Sequence, residues 1–390
     1  MDINGFDGLR PHTAAICNDH HQWRKTLRNF VDTHIAPNIE VWTKTGRFPD
    51  DLFVEAAKEN LLGMGFSNDL GGWEKDADLY HRIIFAEELH RLGSGVVYAD
   101  LATHWVALPP VVQTGDPKLL DTVVRPILAG RQKIAFAVTE PSGGSDVSSF
   151  KTTATPDGDD YILSGEKTLI SGALIADWLL IVAKVPVNQV GKLTLFLVNT
   201  ATSGVSISPV SGLSWYSNSN GLIELNNVRI PKIMRVSEID GAFLGLTRQF
   251  NIERLSAVAA ALALARVATA DAIAWAQKRE AFGNRIIDHQ SIRHCLVSMV
   301  ADIRSTYSYL DQCVARFNTG KVPVADLCML KVQASGALER CAQGAMSVLG
   351  GEAYQDNWRV QRIHREAQIF MLGGGTKEVL FDLAARQMKF

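Results

Sequence analysis

Between Ile134 and Pro231, seven short apolar runs follow one another without an intervening helical segment, while the chain on either side has helical periodicity. The runs are IAFAV, DYILSG, KTLIS, WLLIVAKV, KLTLFLVN, VSISPV and LIELNNVRIP, rich in Ile, Val and Leu and separated by Gly, Asp, Asn and Pro. Strands in direct succession do not supply the crossover helices of a parallel sheet, so an antiparallel barrel or sandwich of about 100 residues is predicted. From His21 to Gly130, segments such as DDLFVEAAKENLLGMGF and LYHRIIFAEELHRLG repeat apolar residues at helical spacing. After Pro231, NIERLSAVAAALALARVATADAIAWAQKREAF and SIRHCLVSMVADIRSTYSYLDQCVARF are too long for isolated surface helices and imply a bundle. The predicted class is α+β multidomain: an N-terminal helical domain over 1–133, a middle β-barrel or sandwich over 134–238, and a C-terminal four-helix bundle over 239–390. A chain of 390 residues has room for such a division.

Composition narrows the function classes. The formal net charge of −2 provides no basic field for nucleic acid or an anionic membrane surface. The five cysteines have neither C-x-x-C pairing nor metal-ligand spacing and read as reduced, mostly buried residues. Neither a signal-like nor a transit-like start is present, so a cytoplasmic protein is expected. The longest apolar stretch, Leu255 to Ala265, is about half of a bilayer span and reads as a core helix. Rossmann, P-loop, H-E-x-x-H and G-x-S-x-G motifs are absent. His20 and His21 are adjacent, do not share a helix face, and read as a solvated terminus rather than metal ligands. No metal site is expected.

Two segments in the β region carry chemistry. Phe136-Ala-Val-Thr-Glu-Pro-Ser-Gly-Gly-Ser-Asp146 takes a strand into a turn of small residues, hydroxyls and free N–H groups that suits close approach of a phosphate. By itself it is equally a structural turn. Gly165-Glu-Lys-Thr-Leu-Ile-Ser171-Gly172 ends a further strand on a hydroxyl.

Together, FAVTEPSGGSD and LSGEKTLISG resemble the flavin and substrate signature of the acyl-CoA dehydrogenase family. Lys278-Arg-Glu-Ala-Phe-Gly283 with Asp288-His-Gln290 resembles its arginine, phenylalanine and glutamine element. Leu349-Gly-Gly-Glu-Ala-Tyr354 with Arg362 to Arg365 resembles its glycine-pair element, and Gly373-Gly-Gly-Thr376-Lys-Glu378 its last turn. The motifs stand in the family's order. The resemblance implies FAD between the β domain and the bundle, an acyl-CoA substrate, electron transfer to an electron-transferring flavoprotein, and a homotetramer built as a dimer of dimers.

Carried over, Phe136, Val138 and Thr139 line the isoalloxazine, Ser145 reaches FAD phosphate or the CoA chain, and Ser171 donates towards N5. Leu169 stands where many members have an aromatic beside the flavin, and Ser347 where a glutamine is frequent. Arg279, Phe282 and Gln290 hold the adenosine and pyrophosphate end across a dimer, where a planar guanidinium suits phosphate; read alone, Arg279 is equally a bundle ion pair. Gly350, Gly351, Thr376 and Glu378 complete the cofactor site.

Many members carry a basic glutamate immediately before the final Gly-Thr, and here that position is Gly374. A subset including isovaleryl-CoA and long-chain acyl-CoA dehydrogenases supplies it from a bundle helix in Glu-Arg-Leu. Asn251-Ile-Glu253-Arg254-Leu255 matches that pattern and makes Glu253 the expected base, with Asn251 and Arg254 towards CoA and the Gly374 N–H towards the thioester carbonyl. Without the resemblance, Glu253-Arg254 is an ordinary surface pair. A flavin oxidase or monooxygenase of the same superfamily, and a flavin-binding DNA-associated or scaffold protein, are the alternatives.

Overall fold

A computed structural model of the protein describes residues 5–73, 77–188, 190–212, 219–320 and 322–390. By its internal contacts the chain divides into two units that cut across the order of the sequence. One comprises Met1–Glu40, Asp78–Gly95 and Asn251–Phe390, and the other Val41–Ala77 and Val96–Phe250.

The second unit holds the run of strands: β1 Ile134–Ala137, β2 Thr153–Asp157, β3 Asp160–Ile170, β4 Trp178–Val187, β5 Val190–Asn199, β6 Val205–Pro209 and β7 Gly221–Pro231. The sheet runs β1-β4-β2-β3-β7-β6, with β5 also paired to β4. As expected, most pairs are antiparallel, but β1 and β2 both join β4 in parallel. The chain leaves β1, makes the β2–β3 hairpin, and returns along β4 in the direction it started. β4 is buried over most of its length, as its continuous apolar run requires, whereas β7 alternates. Leu163, Ile170, Ile181, Phe196, Ile223 and Val228 belong to the buried core of the sheet.

Two details differ from the sequence reading. DYILSG and KTLIS are one strand, β3, whose register to β7 shifts at Gly165 and again before Ile170. A Cβ on Gly165 would fall 2.6 Å from the Cα of Thr152, so a side chain there would collide with backbone. The sequence also gives no sign of β2, TATPD, in which only Ala154 is buried and a proline precedes the turn.

The first unit contains α1 Asn18–Phe30, α2 Leu79–His90, α3 Ala242–Lys278, whose residues from Asn251 onward belong here, α4 Gln290–Asn318, α5 Val324–Leu349, α6 Arg359–Leu372 and α7 Lys377–Met388. α3 is apolar and long enough to cross a membrane, but 78% of its most apolar window is buried within the protein, which identifies a core helix. α1 and α2 are joined to it by charge. Glu87, fully buried on α2, accepts from Arg10 at 2.9 Å, Arg24 at 2.6 Å and the Tyr307 hydroxyl at 3.0 Å. Arg266 of α3, itself buried, donates to Phe6 O and Tyr307.

His20 corrects an expectation. It is buried, not solvated, and its Nδ1 accepts the Cys17 N–H at 3.1 Å while Nε2 lies 3.0 Å from Asp78. His81 repeats the arrangement at the start of α2, where its Nδ1 accepts the Asp78 N–H. Each ring closes a capping box, a use of histidine that adjacency in sequence does not disclose.

Candidate active site

In the strand unit the two chemistry-bearing segments lie side by side. The Thr168 N–H donates to Thr139 O at 2.9 Å, which brings Phe136, Val138 and Thr139 next to Leu169 and Ser171. Beneath them, Glu140 and Lys167 form a buried ion pair at 2.8 Å. Lys167 Nζ also donates to Val138 O at 2.9 Å, and Glu140 accepts backbone N–H groups of Lys151 and Thr152. Burial pushes the Lys167 ammonium down to about 8, against the pull of Glu140. Ser145 is exposed on the following loop. Behind Ser171, Asp100 accepts from the Ser219 hydroxyl at 2.6 Å, and burial lifts its carboxyl to about 7.

Leu169 adopts φ +57° and is 58% exposed. A leucine in the left-handed region with its side chain in the open is strained locally and unrewarded by packing, a combination that marks functional sites.

In the helical unit, Phe282 has the same peculiarity, at φ +53° and 94% exposed, on the two-strand hairpin that follows α3. Among the described residues, Leu169 and Phe282 are the only large apolar side chains with positive φ. Arg279, three residues before Phe282, is exposed, with its guanidinium 5.9 Å from the Trp275 ring centre. Gln290 opens α4, and Ser347, exposed near the end of α5, donates to Gln343 O. Gly350 and Gly351 face open space. Thr376 is the N-cap residue of α7, and Glu378 lies in its exposed first turn.

The same unit brings Glu253 of α3 to the glycine turn between α6 and α7. Gly374 has φ +71°, and a Cβ placed on it would lie 3.4 Å from Glu253 Oε2 and 3.7 Å from Oε1. A side chain at position 374 would therefore point at the space that the Glu253 carboxylate already fills. That carboxylate makes no hydrogen bond among the described residues, and burial raises its pKa against the opposing charges of Arg254 and Lys331. Arg254 donates to Asn251 Oδ1 at 2.8 Å, and Asn251 is buried. The Nε of Arg254 is buried without a partner among the described residues.

Models of the N-terminal, middle and C-terminal domains of acyl-CoA dehydrogenases match residues 18–131, 135–228 and 243–389. The chain belongs to the acyl-CoA dehydrogenase family. A solved structure from Mycobacterium smegmatis described as an acyl-CoA dehydrogenase superposes with a TM-score of 0.92 at 32% identity, covering 97% of this chain and 100% of that one. The caffeyl-CoA reductase-Etf complex subunit CarC of Acetobacterium woodii is 28% identical over 91% of this chain and 94% of its own length. The 3-(aryl)acrylate reductase of Clostridium sporogenes is 28% identical over 92% and 96%.

Like other members of the family, this one is an FAD-dependent oxidoreductase. The residues present in each unit suit that group: in the strand unit uncovered Leu169 offers apolar surface at a position of backbone strain, and in the helical unit uncovered Phe282 does the same and the open glycine pair at 350–351 leaves room for close approach. The sequence reading missed the buried ionisable groups of both units. Glu140, Lys167, Asp100 and Lys331 are each buried, and the signal for the lysines was a lone cation inside an apolar run, TLIS after Lys167 and LCML before Lys331.

Proposed function

We propose that the protein dehydrogenates an acyl-CoA thioester between its α and β carbons, giving the trans-2-enoyl-CoA, with Glu253 as the base that takes the α proton. The observation that carries this reading is the convergence of Glu253 on Gly374: the carboxylate that other members supply from the turn is supplied here from α3, to the same space. Its oxygens accept no hydrogen bond among the described residues, and burial makes them more basic than an ordinary carboxylate. The Gly374 N–H, on an exposed turn, donates to the thioester carbonyl and stabilises negative charge as the proton leaves. Arg254, oriented by Asn251, reaches the CoA portion.

Bound FAD would supply the acceptor for the hydride leaving the β carbon. Phe136, Val138, Thr139, Leu169 and Ser171 would hold its ring system, and Ser145, Ser347, Gly350, Gly351, Thr376 and Glu378 would hold the remainder. Arg279, Phe282 and Gln290 would hold the adenosine end of the cofactor carried by a second copy of the chain in a homotetramer, a role suited to a phenylalanine left bare in its own subunit. Electrons pass to an electron-transferring flavoprotein, a reading supported by the name of the Acetobacterium relative.

The reverse reaction is a second reading, favoured by the two relatives named as reductases. A carboxyl with a raised pKa then serves as the acid that returns the α proton. Anaerobic titration of the oxidised protein with straight and branched acyl-CoAs tests the first reading, which predicts bleaching of the oxidised flavin band. Dithionite-reduced protein reoxidised by enoyl-CoAs, with no bleaching by any saturated thioester, would establish the reductase instead. Failure of both half-reactions would remove acyl-CoA chemistry from this site.

A further inference from the structure

Three consecutive glycines, two of them at positive φ, have little preference of their own for any one conformation, so the direction of the Gly374 N–H must be imposed from outside the turn. The restraint is on α5. Lys331 is buried there, and its Nζ donates to Phe370 O at 2.6 Å and to Gly375 O at 3.0 Å. Phe370 lies in the last turn of α6, where carbonyls lack helical partners and a cation is favoured. One ammonium therefore ties together the two ends of the turn. Ser335, one helical turn further along α5, donates to the same Phe370 oxygen at 2.8 Å.

Lys331 also faces the base. Its Cε lies 4.0 Å from a Cβ placed on Gly374, the same point that is 3.4 Å from Glu253 Oε2. The titratable groups acting on Glu253 are Arg254 on its own helix and Lys331 across from it, while those acting on Lys331 are Glu253 and Arg254. Cys328, buried on α5, is acted on by Arg254.

We propose that Lys331 is a positioning residue of the reaction, whose ammonium both fixes the Gly373–Gly375 turn and supplies the positive charge that faces the Glu253 carboxylate. This rests on Glu253 being the base. Burial brings the ammonium down to about 8 and the carboxylate opposes that shift, so each charge supports the other in a site that disfavours both. Removing the lysine charge makes Glu253 harder to ionise. Removing its hydrogen bonds loosens the N–H that meets the thioester oxygen.

The test is the pH profile of flavin reduction by a saturating acyl-CoA in FAD-loaded wild type, Lys331→Gln and Lys331→Arg. In Lys331→Gln the acid limb is expected to move up by about one pH unit or more, a tenfold change in proton affinity. The limiting rate should fall about tenfold, with acyl-CoA affinity within about threefold. Lys331→Arg should return the limb to the wild-type position. An unmoved limb in folded Lys331→Gln overturns the proposal.

Should that variant not fold, Glu253→Gln decides, read through the titration of Lys331 by an amine reagent with the labelled site located by mass spectrometry. The lysine pKa should fall in that variant, because its negative partner is gone, and an unchanged value overturns the proposal. Full turnover in Glu253→Gln would remove the base reading together with this one. Lost turnover in Glu253→Gln with an unmoved limb in Lys331→Gln would remove this inference alone.

Discussion

Glu253, the proposed base, shows how little of such a role is visible in a residue's own neighbourhood of sequence. Glu-Arg on a helix is an ordinary exposed pair, and its meaning came from position 374, where a glycine stands in place of a carboxylate. Folding brings the two together across more than a hundred residues. Burial raises the pKa of this carboxyl, which has a direct sign for activity and for stability. Activity requires the ionised base, so the rate of flavin reduction by acyl-CoA should climb with pH through a midpoint above the ordinary 4.5. A profile already flat from pH 5 upward would contradict that environment. Stability runs the other way. The folded state holds this proton more tightly than the unfolded chain, so the contribution is fully present below 4.5 and lost as pH rises through the folded value. Lys331 was illegible because a single lysine in an apolar helix says nothing of which carbonyls its ammonium will meet.

Among the elements, β3 carries the most consequence. Its Gly165 irregularity joins what read as two strands, and its far end holds Leu169 in the left-handed region next to the end of β1. Lys167, two residues earlier, turns inward to Glu140 and the Val138 carbonyl, so the ends of β1 and β3 rest on a desolvated ion pair. Lys167→Met should leave Glu140 buried and unpaired, lowering unfolding free energy by about 3–5 kcal/mol and weakening FAD retention. Denaturant unfolding and the bound-flavin spectrum measure both, and a loss under about 1 kcal/mol would show that the pair is not a support. The succession of strands and the long helices were legible because their hydrophobic periods differ. β2 was not, because one buried residue in five leaves no period to read. Nor were the two parallel pairings, which depend on where the chain re-enters the sheet rather than on any strand's composition.

At the scale of the whole molecule, the helical unit is assembled from three separate stretches of chain. Its joints are groups far apart in sequence, such as Arg10 and Arg24 on Glu87 and His20 on Asp78. Charges of this kind look like surface residues until the fold buries them, which is why His20 read as a solvated terminus. The order of motifs, by contrast, survives any folding, and it was enough to indicate the family that the domain models then matched over most of the chain. The central claim is that this assembly removes an α proton from an acyl-CoA through Glu253. Rapid-mixing anaerobic reduction of wild type and Glu253→Gln by the acyl-CoA that bleaches the wild type best tests it most directly. The account predicts a variant that keeps FAD, binds the thioester and is reduced slower by about a hundredfold or more. A folded, flavin-loaded Glu253→Gln reduced at the wild-type rate would contradict it.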